Sequence, residues 1–437
     1  MDIISIAVVA GLILVFGVVS ARLERTVVTA PMVFVLVGLA AGPSGLGWVH
    51  GSVAHGVVHA LAEVTLILVL FTDASRIDLR RLAREHDIPL RLLLLGLPLT
   101  IVLGAGAGMV VLVGFSIWQA AVLAAILAPT DAALGQAVVS NPRVPVRIRQ
   151  ALNVESGLND GLALPAVLIL VSLAGAMTAT EARGVADWFQ FAAMQIVLGP
   201  VVGVVIGYVG GKGVERAWRA RWISGAFLRL SAIGLALLSF AGAEIVGGNG
   251  FIAAFVAGLG LGNWTRQICG SVYEFGEAEG QLLVLLTFFI FGAFIVPEAA
   301  VHVDGRVVLY GLLSLTVVRL IPVAVSLLGK GLGADTVSFL GWFGPRGLAS
   351  ILFALLVVET SGIAETEAIN TVVTVTVVLS VFLHGLTAWP FANWYGARAE
   401  ARAARLPSCP ESASVTEMPL RARPRLKDAD RSHRRAC

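Results

Sequence analysis

Apolar residues recur in thirteen blocks along the chain, at 2–20, 27–41, 57–73, 89–113, 118–139, 151–176, 188–210, 223–241, 245–261, 281–296, 307–328, 337–358 and 368–390. Most approach the roughly twenty residues a helix needs to cross hydrocarbon. They are too long and too continuously apolar for barrel strands, which alternate over about ten positions. Lipid offers no partner to backbone N–H and C=O groups, so helices that satisfy their own are the expected form. The pattern predicts an all-α polytopic membrane protein with about thirteen transmembrane helices. The first block, in MDIISIAVVAGLILVFGVVSARLER, lacks a basic leader and a small-residue cleavage site, and reads as a span.

Charge supports the count. With the amino terminus outside, the inner loops hold Arg22, Arg25, Arg76, Arg80, Arg81, Arg84, Arg91, Arg143, Arg147, Arg149, Lys212, Arg216, Arg219, Arg221, Arg266 and Lys330. Only Arg183 and Arg306 fall outside. A missed or surplus span would scramble this positive-inside bias. The carboxyl terminus is then cytoplasmic, in a cell inner (plasma) membrane. The blocks make one membrane domain, residues 1–396, and the basic segment 397–437 is expected to be a mostly disordered tail. That tail has no aromatic interleaving, so nucleic acid is not an expected partner, whereas membrane lipid is.

Composition narrows the function. The 437 residues are 57% hydrophobic and 14% charged, with a mean hydropathy of +0.88. Soluble domains are about a quarter charged. No loop is long enough for a soluble catalytic domain, and no phosphate-cradling motif appears. Cys269, Cys409 and Cys437 lack metal-site spacing. No cofactor is expected. A channel, an ion-coupled transporter, an intramembrane enzyme or a sensor remain.

Charges inside the bilayer cost several kcal/mol each, so they point to function. In AAILAPTDAALG, Pro129 breaks the fifth block beside Thr130 and Asp131. In ALNVESGLNDGLALP, Glu155 and Asn159 lie four apart, as do Ser156 and Asp160. The plainer reading of each segment is structural: a proline kink whose freed groups Thr130 and Asp131 satisfy, and a polar knot between helices. The functional reading has Asp131 and Asp160 facing one another and holding a monovalent cation together with Thr130 and Ser156 oxygens. Desolvation and repulsion between the carboxylates would raise their proton affinity, so protons and cations would compete for the same oxygens. Arg319 has no acidic neighbour in its own block, and Glu155 is its expected partner. Arg346, in GPRG, interrupts the twelfth block. The two broken blocks are the middle members of spans 4–6 and 11–13, the arrangement of an inverted repeat whose discontinuous helices cross at the site.

APTD at 128–131, ESGLND at 155–160, GNGFIAAFVAGL at 248–259, Arg319 in VVRL and GPRG at 344–347 together resemble the monovalent cation/proton antiporter family, in its sodium/proton exchanger branch with an Asn-Asp pair. The resemblance covers roughly residues 5–390. It implies a homodimer whose core helices, about 89–176 and 307–390, move in an elevator-like step against a dimerisation scaffold. It also implies Asp160 as the central cation and proton carboxylate, supported by Thr130, Asp131, Ser156 and Asn159, with Glu155–Arg319 as a structural pair. Asn159, where electrogenic relatives carry Asp, goes with electroneutral exchange of Na⁺ for H⁺. FTDA at 71–74 departs from the FFEA-like stretch of the animal exchangers. The expected function is electroneutral Na⁺/H⁺ antiport, with K⁺/H⁺ antiport as the alternative. A cation channel would require a filter-like run. An intramembrane protease would require a signature beyond two aspartates.

Overall fold

The computed structural model describes residues 3–23, 26–49, 55–85, 87–178, 185–265, 269–360, 366–405 and 409–419. Arg25, Arg183, Arg266 and Cys437, named above, lie outside these residues, as does all of 420–437. In chain order the helices are α1 (Ile3–Leu23), α2 (Ala30–Ala41), α3 (His55–Ser75), α4 (Leu79–Glu85), α5 (Asp87–Arg91) and α6 (Leu97–Val111). Then follow α7 (Ile117–Ile126), α8 (Ala132–Val139), α9 (Val146–Thr178), α10 (Val185–Arg219), α11 (Gly225–Ile245) and α12 (Gly250–Trp264). The rest are α13 (Cys269–Ile290), α14 (Val296–Ala300), α15 (Gly305–Leu315), α16 (Val317–Ser326), α17 (Ala334–Trp342), α18 (Leu348–Thr360) and α19 (Thr366–Arg405). Every apolar block of the sequence is one helix or a run of joined helices, and the described residues contain no strand. Eight of the described segments are long and apolar enough to cross a membrane, and four shorter helices are apolar as well. The chain is a polytopic membrane protein.

Interruptions follow local chemistry. π-Helical turns at Leu92–Gly96 and Phe291–Ile295 join α5 to α6 and α13 to α14. Each precedes a proline, Pro98 or Pro297, whose missing amide removes a rung from the helical ladder. One further break was not expected. At Thr316 (φ −113°, ψ −94°) the block 307–328 divides into α15 and α16. The Thr316 hydroxyl donates to the Leu312 carbonyl four residues back, the kind of bond that bends helices.

The helices pack in two sets. In one, α3, α10, α11 and α12 meet closely, with α2 against α13 beside them. Gly199, Gly203 and Gly207 form a four-residue repeat along α10 facing the carbonyls of Asn249, Ala253 and Ala257. An added Cβ at Gly258 or Gly262 of α12 would run into the carbonyl oxygens of Phe71 or Ser75 on α3. Small residues of this kind let helix backbones touch where lipid supplies no hydrophobic drive. In GNGF, Asn249 caps α12 by accepting from Ile252 N–H (3.0 Å), and Glu244 accepts from Gly250 N–H (2.8 Å). The second set is α6–α9 with α15–α19, held around the two broken helices.

The segment after residue 396 differs from expectation. α19 continues without a break to Arg405, because ARAEARAAR at 397–405 is made of strong helix formers. Residues 409–419 then fold back onto the start of α9, with Cys409, Glu411 and Met418 buried. Among the described residues, paired charges and these three buried side chains anchor a stretch whose composition alone is that of a linker.

Candidate functional site

The breaks at 127–131 and 343–347 lie against each other. Asp131 N–H donates to the Pro345 carbonyl (2.7 Å), which joins the two unwound segments directly. Each break leaves helix ends whose N–H and C=O groups have no intrahelical partner, and side chains of opposite charge meet them. Asp131 caps α8, its Oδ1 accepting from Ala133 N–H (2.7 Å) and Leu134 N–H (3.0 Å). Its Oδ2 accepts from Leu348 N–H (2.6 Å), the first residue of α18. One carboxylate thus serves the positive ends of both C-terminal half-helices. At the negative end of α7, Arg346 Nη1 donates to the carbonyls of Ala128 and Pro129, the latter at 3.0 Å. Ser350 Oγ donates to the Ile126 carbonyl (2.9 Å).

Tight approach explains the glycines of GPRG. A Cβ on Gly344 would meet the Arg319 guanidinium and, at 3.0 Å, a carbon of Thr130. A Cβ on Gly347 would fall on the Asp131 carboxylate. The motif brings a backbone against two charged groups, and only glycine leaves the room.

α9 passes beside the crossover and supplies the remaining groups. Thr130 and Ser156 hydroxyls are 3.0 Å apart. Asn159 Nδ2 donates to Thr130 Oγ1 (2.6 Å) and to the Thr130 carbonyl (3.3 Å). The Asn159 Oδ1 is buried and accepts no hydrogen bond from the described residues. Asp160 is buried at 8% exposure, one turn beyond Ser156 on α9. Arg319 Nη2 lies 2.6 Å from Glu155 Oε1, and both side chains are almost fully enclosed. Removing one partner of such a pair would strand a buried charge.

These positions sort the sequence candidates. Thr130, Ser156, Asn159 and Asp160 lie on one stretch of α9 and the break beside it. Glu155 and Arg319 meet one another. Pro129 supplies a carbonyl to Arg346. Asp131 joins the two broken helices: three backbone N–H groups converge on its two oxygens.

Two residues of α19 went unrecognised from the sequence. Ser380 Oγ accepts from Arg346 N–H (2.7 Å) and lies 3.1 Å from His384 Nδ1. His384 Nε2 lies 2.8 Å from the Trp342 carbonyl, the last of α17. His384 Nδ1 also lies 3.0 Å from the Ser380 carbonyl, so the imidazole ties α17 to α19 through both ring nitrogens. A Ser–His pair four apart in an apolar block was the available signal.

Around the crossover, Glu155, Asp131 and Asp160 oppose Arg319 and Arg346, which leaves one net negative charge when all are ionised. One proton or one monovalent cation would balance it. The buried oxygens of Asp160, Asn159, Ser156 and Thr130 are the hard donors that alkali cations prefer.

The chain is similar to known antiporters in sequence and in fold. The chain is 25% identical over 391 residues to the K⁺/H⁺ antiporter NhaP of Alkalimonas amylolytica, covering 88% of this chain and 66% of that protein. It is 27% identical to the Na⁺/H⁺ antiporter ApNhaP of Aphanothece halophytica, covering 75% and 62% respectively. The chain thus spans just under two thirds of the length of these relatives. Its fold matches the sodium proton antiporter MjNhaP1 of Methanocaldococcus jannaschii with a TM-score of 0.68 at 18% identity, covering 88% of this chain and all of that one. A family model for the transmembrane sodium/hydrogen exchanger covers residues 5–394, and the chain belongs to that family.

Proposed function

We propose that the chain exchanges a monovalent cation for a proton across the membrane, one for one, at Asp160. The observation that carries this reading is the single net negative charge of the crossover, whose two guanidiniums are engaged by Glu155 and by the carbonyls of Ala128 and Pro129. Bound Na⁺ and bound H⁺ neutralise that charge equally, so neither leg of the cycle moves net charge relative to the other. Competition for one carboxylate couples the two ions without a nucleotide. Asn159 Oδ1 and the Ser156 and Thr130 hydroxyls stand beside Asp160 as neutral donors, and Asp131 holds the two broken helices in register.

Alternating access would come from movement of α6–α9 and α15–α19 against the glycine-packed α3 and α10–α12. A homodimer is the assembly we favour: α1 exposes Ile3, Ile6, Leu14, Val15 and Val18, an apolar face for lipid or a second copy. The arginine asymmetry supports an outside amino terminus and a cytoplasmic carboxyl terminus in the cell inner membrane. Na⁺ is the first choice of cation, and the likeness to the K⁺/H⁺ antiporter of Alkalimonas supports K⁺ as the second reading.

In proteoliposomes with an internal pH dye, an imposed Na⁺ gradient should move protons at a rate unchanged when the membrane potential is clamped. Replacing Na⁺ by K⁺ or Li⁺ ranks the cations. Wild-type exchange in a folded Asp160→Asn variant would refute the assignment of the carrier.

A further inference from the structure

α19 is apolar across the block 368–390, yet one face carries Ser380, His384 and Thr387, spaced by four and three residues as one side of a helix requires. Ser380 and His384 are buried, and buried polar groups persist where they meet partners. Each of the three meets a different point of the α17–α18 break. Thr387 Oγ1 accepts from the Trp342 indole N–H (2.9 Å), the Trp342 carbonyl accepts from His384 Nε2 (2.8 Å), and Ser380 Oγ accepts from Arg346 N–H (2.7 Å). The His384 ring also lies against the Trp342 indole, with centroids 5.0 Å apart. The unwound stretch 343–347 is thereby fixed to α19 twice, at the helical residue before it and within GPRG.

The same stretch bears on the cation site. Gly344 is packed so closely that an added Cβ would stand 3.0 Å from a Thr130 carbon. Arg346 Nη1 donates to the carbonyls of Ala128 and Pro129, the two residues before Thr130. From the other side, Asn159 Nδ2 holds Thr130 Oγ1 at 2.6 Å, and the Ser156 hydroxyl stands 3.0 Å away. Thr130 is therefore gripped between α9 and a backbone whose own position is set by α19. A shift of 343–347 would move the Thr130 oxygens relative to Ser156, Asn159 and Asp160, which share α9.

We propose that Ser380, His384 and Thr387 are specificity-determining positioning residues, which set the distance between Thr130 and α9 and with it the preference of the site among Na⁺, K⁺ and Li⁺. They act through Trp342 and Arg346 and do not touch the cation. Alkali cations carry one charge and take the same oxygen donors, so they are separated by cavity size and by how rigidly the oxygens are held. Loosening the frame lets the oxygens relax around whichever ion they fitted less well. The proposal rests on the exchange reading of the Asp160 site, and its binding arm can be measured without transport.

The full-length wild type is compared with S380A, H384A and H384Q in two measurements. One is the apparent KM for Na⁺, K⁺ and Li⁺ in cation-driven proton movement in proteoliposomes. The other is displacement of radiolabelled Na⁺ from the purified protein by K⁺ and Li⁺. Glutamine reaches as far as the imidazole Nε2 and keeps a donor for the Trp342 carbonyl. In S380A and H384A the preference between Na⁺ and K⁺ should move toward unity by about threefold, less than the roughly tenfold typical when a direct outer partner of a metal ligand is lost. H384Q should keep the wild-type order and most of its preference. An unchanged preference in both alanine variants, with only the maximal rate or the melting temperature lowered, would make this face a structural prop and overturn the proposal. So would an H384Q as altered as H384A. Should H384A not fold, S380A, which removes a single oxygen, decides alone. A shifted displacement order with no proton movement in any chain, wild type included, would sink the antiporter reading and leave the positioning role standing.

Discussion

The two packed sets of helices are built by opposite means. Where α10 and α12 meet, and where α12 meets α3, glycines bring backbone against backbone along the interface. At the crossover of α7–α8 with α17–α18, helices stop in mid-bundle, and Asp131, Arg346, Ser380 and His384 replace the hydrogen bonds that the breaks remove. The first surface is held by shape and changes only if atoms overlap. The second is held by charge and direction, and an ion of matching charge can alter its balance. One set thus makes a wall of close-packed backbone, and the other a polar junction between interrupted helices.

The contrast can be broken most severely at Arg319. Arg319→Ala leaves Glu155 enclosed without its partner, and the expected loss is about 3–5 kcal/mol. Thermal unfolding in detergent, monitored by size-exclusion chromatography, should show a large drop in melting temperature. A variant that melts with the wild type would mean the pair does not hold the bundle. Next comes the wall: Gly258→Leu forces a side chain into the Phe71 carbonyl, and overpacking of this kind costs about 1–3 kcal/mol. The same assay reads it, and a neutral outcome would show that α3 and α12 can slide apart.

A smaller effect is expected at Ser380. Ser380→Ala removes the acceptor of Arg346 N–H, worth about 1–3 kcal/mol when a buried donor is left unmade. Hydrogen exchange at residues 343–348 should quicken more than the global melting temperature falls. Uniform protection would argue that α19 does not position the broken helix. The smallest effect on stability belongs to Asp160→Asn, a near-isosteric change with an expected shift below about 1 kcal/mol. Its transport, by contrast, should vanish. A melting temperature that collapsed with transport would make Asp160 a structural residue rather than the carrier.

The docked segment 409–419 has a pH dependence of known sign. Glu411 has its carboxyl pulled from an ordinary 4.5 to about 2, so its contribution to docking is present above about 4.5 and fades only as pH falls toward 2. Protection of the Gly333 N–H, from which that carboxylate accepts, should therefore be unchanged between pH 6 and 8. A steep change in that window would assign control to another group.

Much of the membrane architecture could be read from residue order. Thirteen apolar blocks correspond to thirteen helical segments because hydrocarbon length and backbone satisfaction leave a helix little choice. Pro129 and Pro345 marked both breaks, since a missing amide shows in the sequence wherever it falls. The break at Thr316 did not, because threonine bends a helix only when its hydroxyl turns back on the chain. The contacts of Asp131 were also hidden: an acid beside a proline can cap a helix or hold an ion, and only the tertiary structure brings Leu348 N–H, 217 positions away, to its carboxylate. In the same way, the basic stretch after residue 396 has the composition of a linker, and its anchoring depends on Gly333, Gln150 and Arg402 being gathered at one end of the bundle. What the sequence by itself determined was which segments enter the membrane and which carry charge there, since both follow from local chemistry and length. What only the tertiary structure decided was which charge answers which, because opposite charges and orphaned helix ends find each other across distances that chain order does not record.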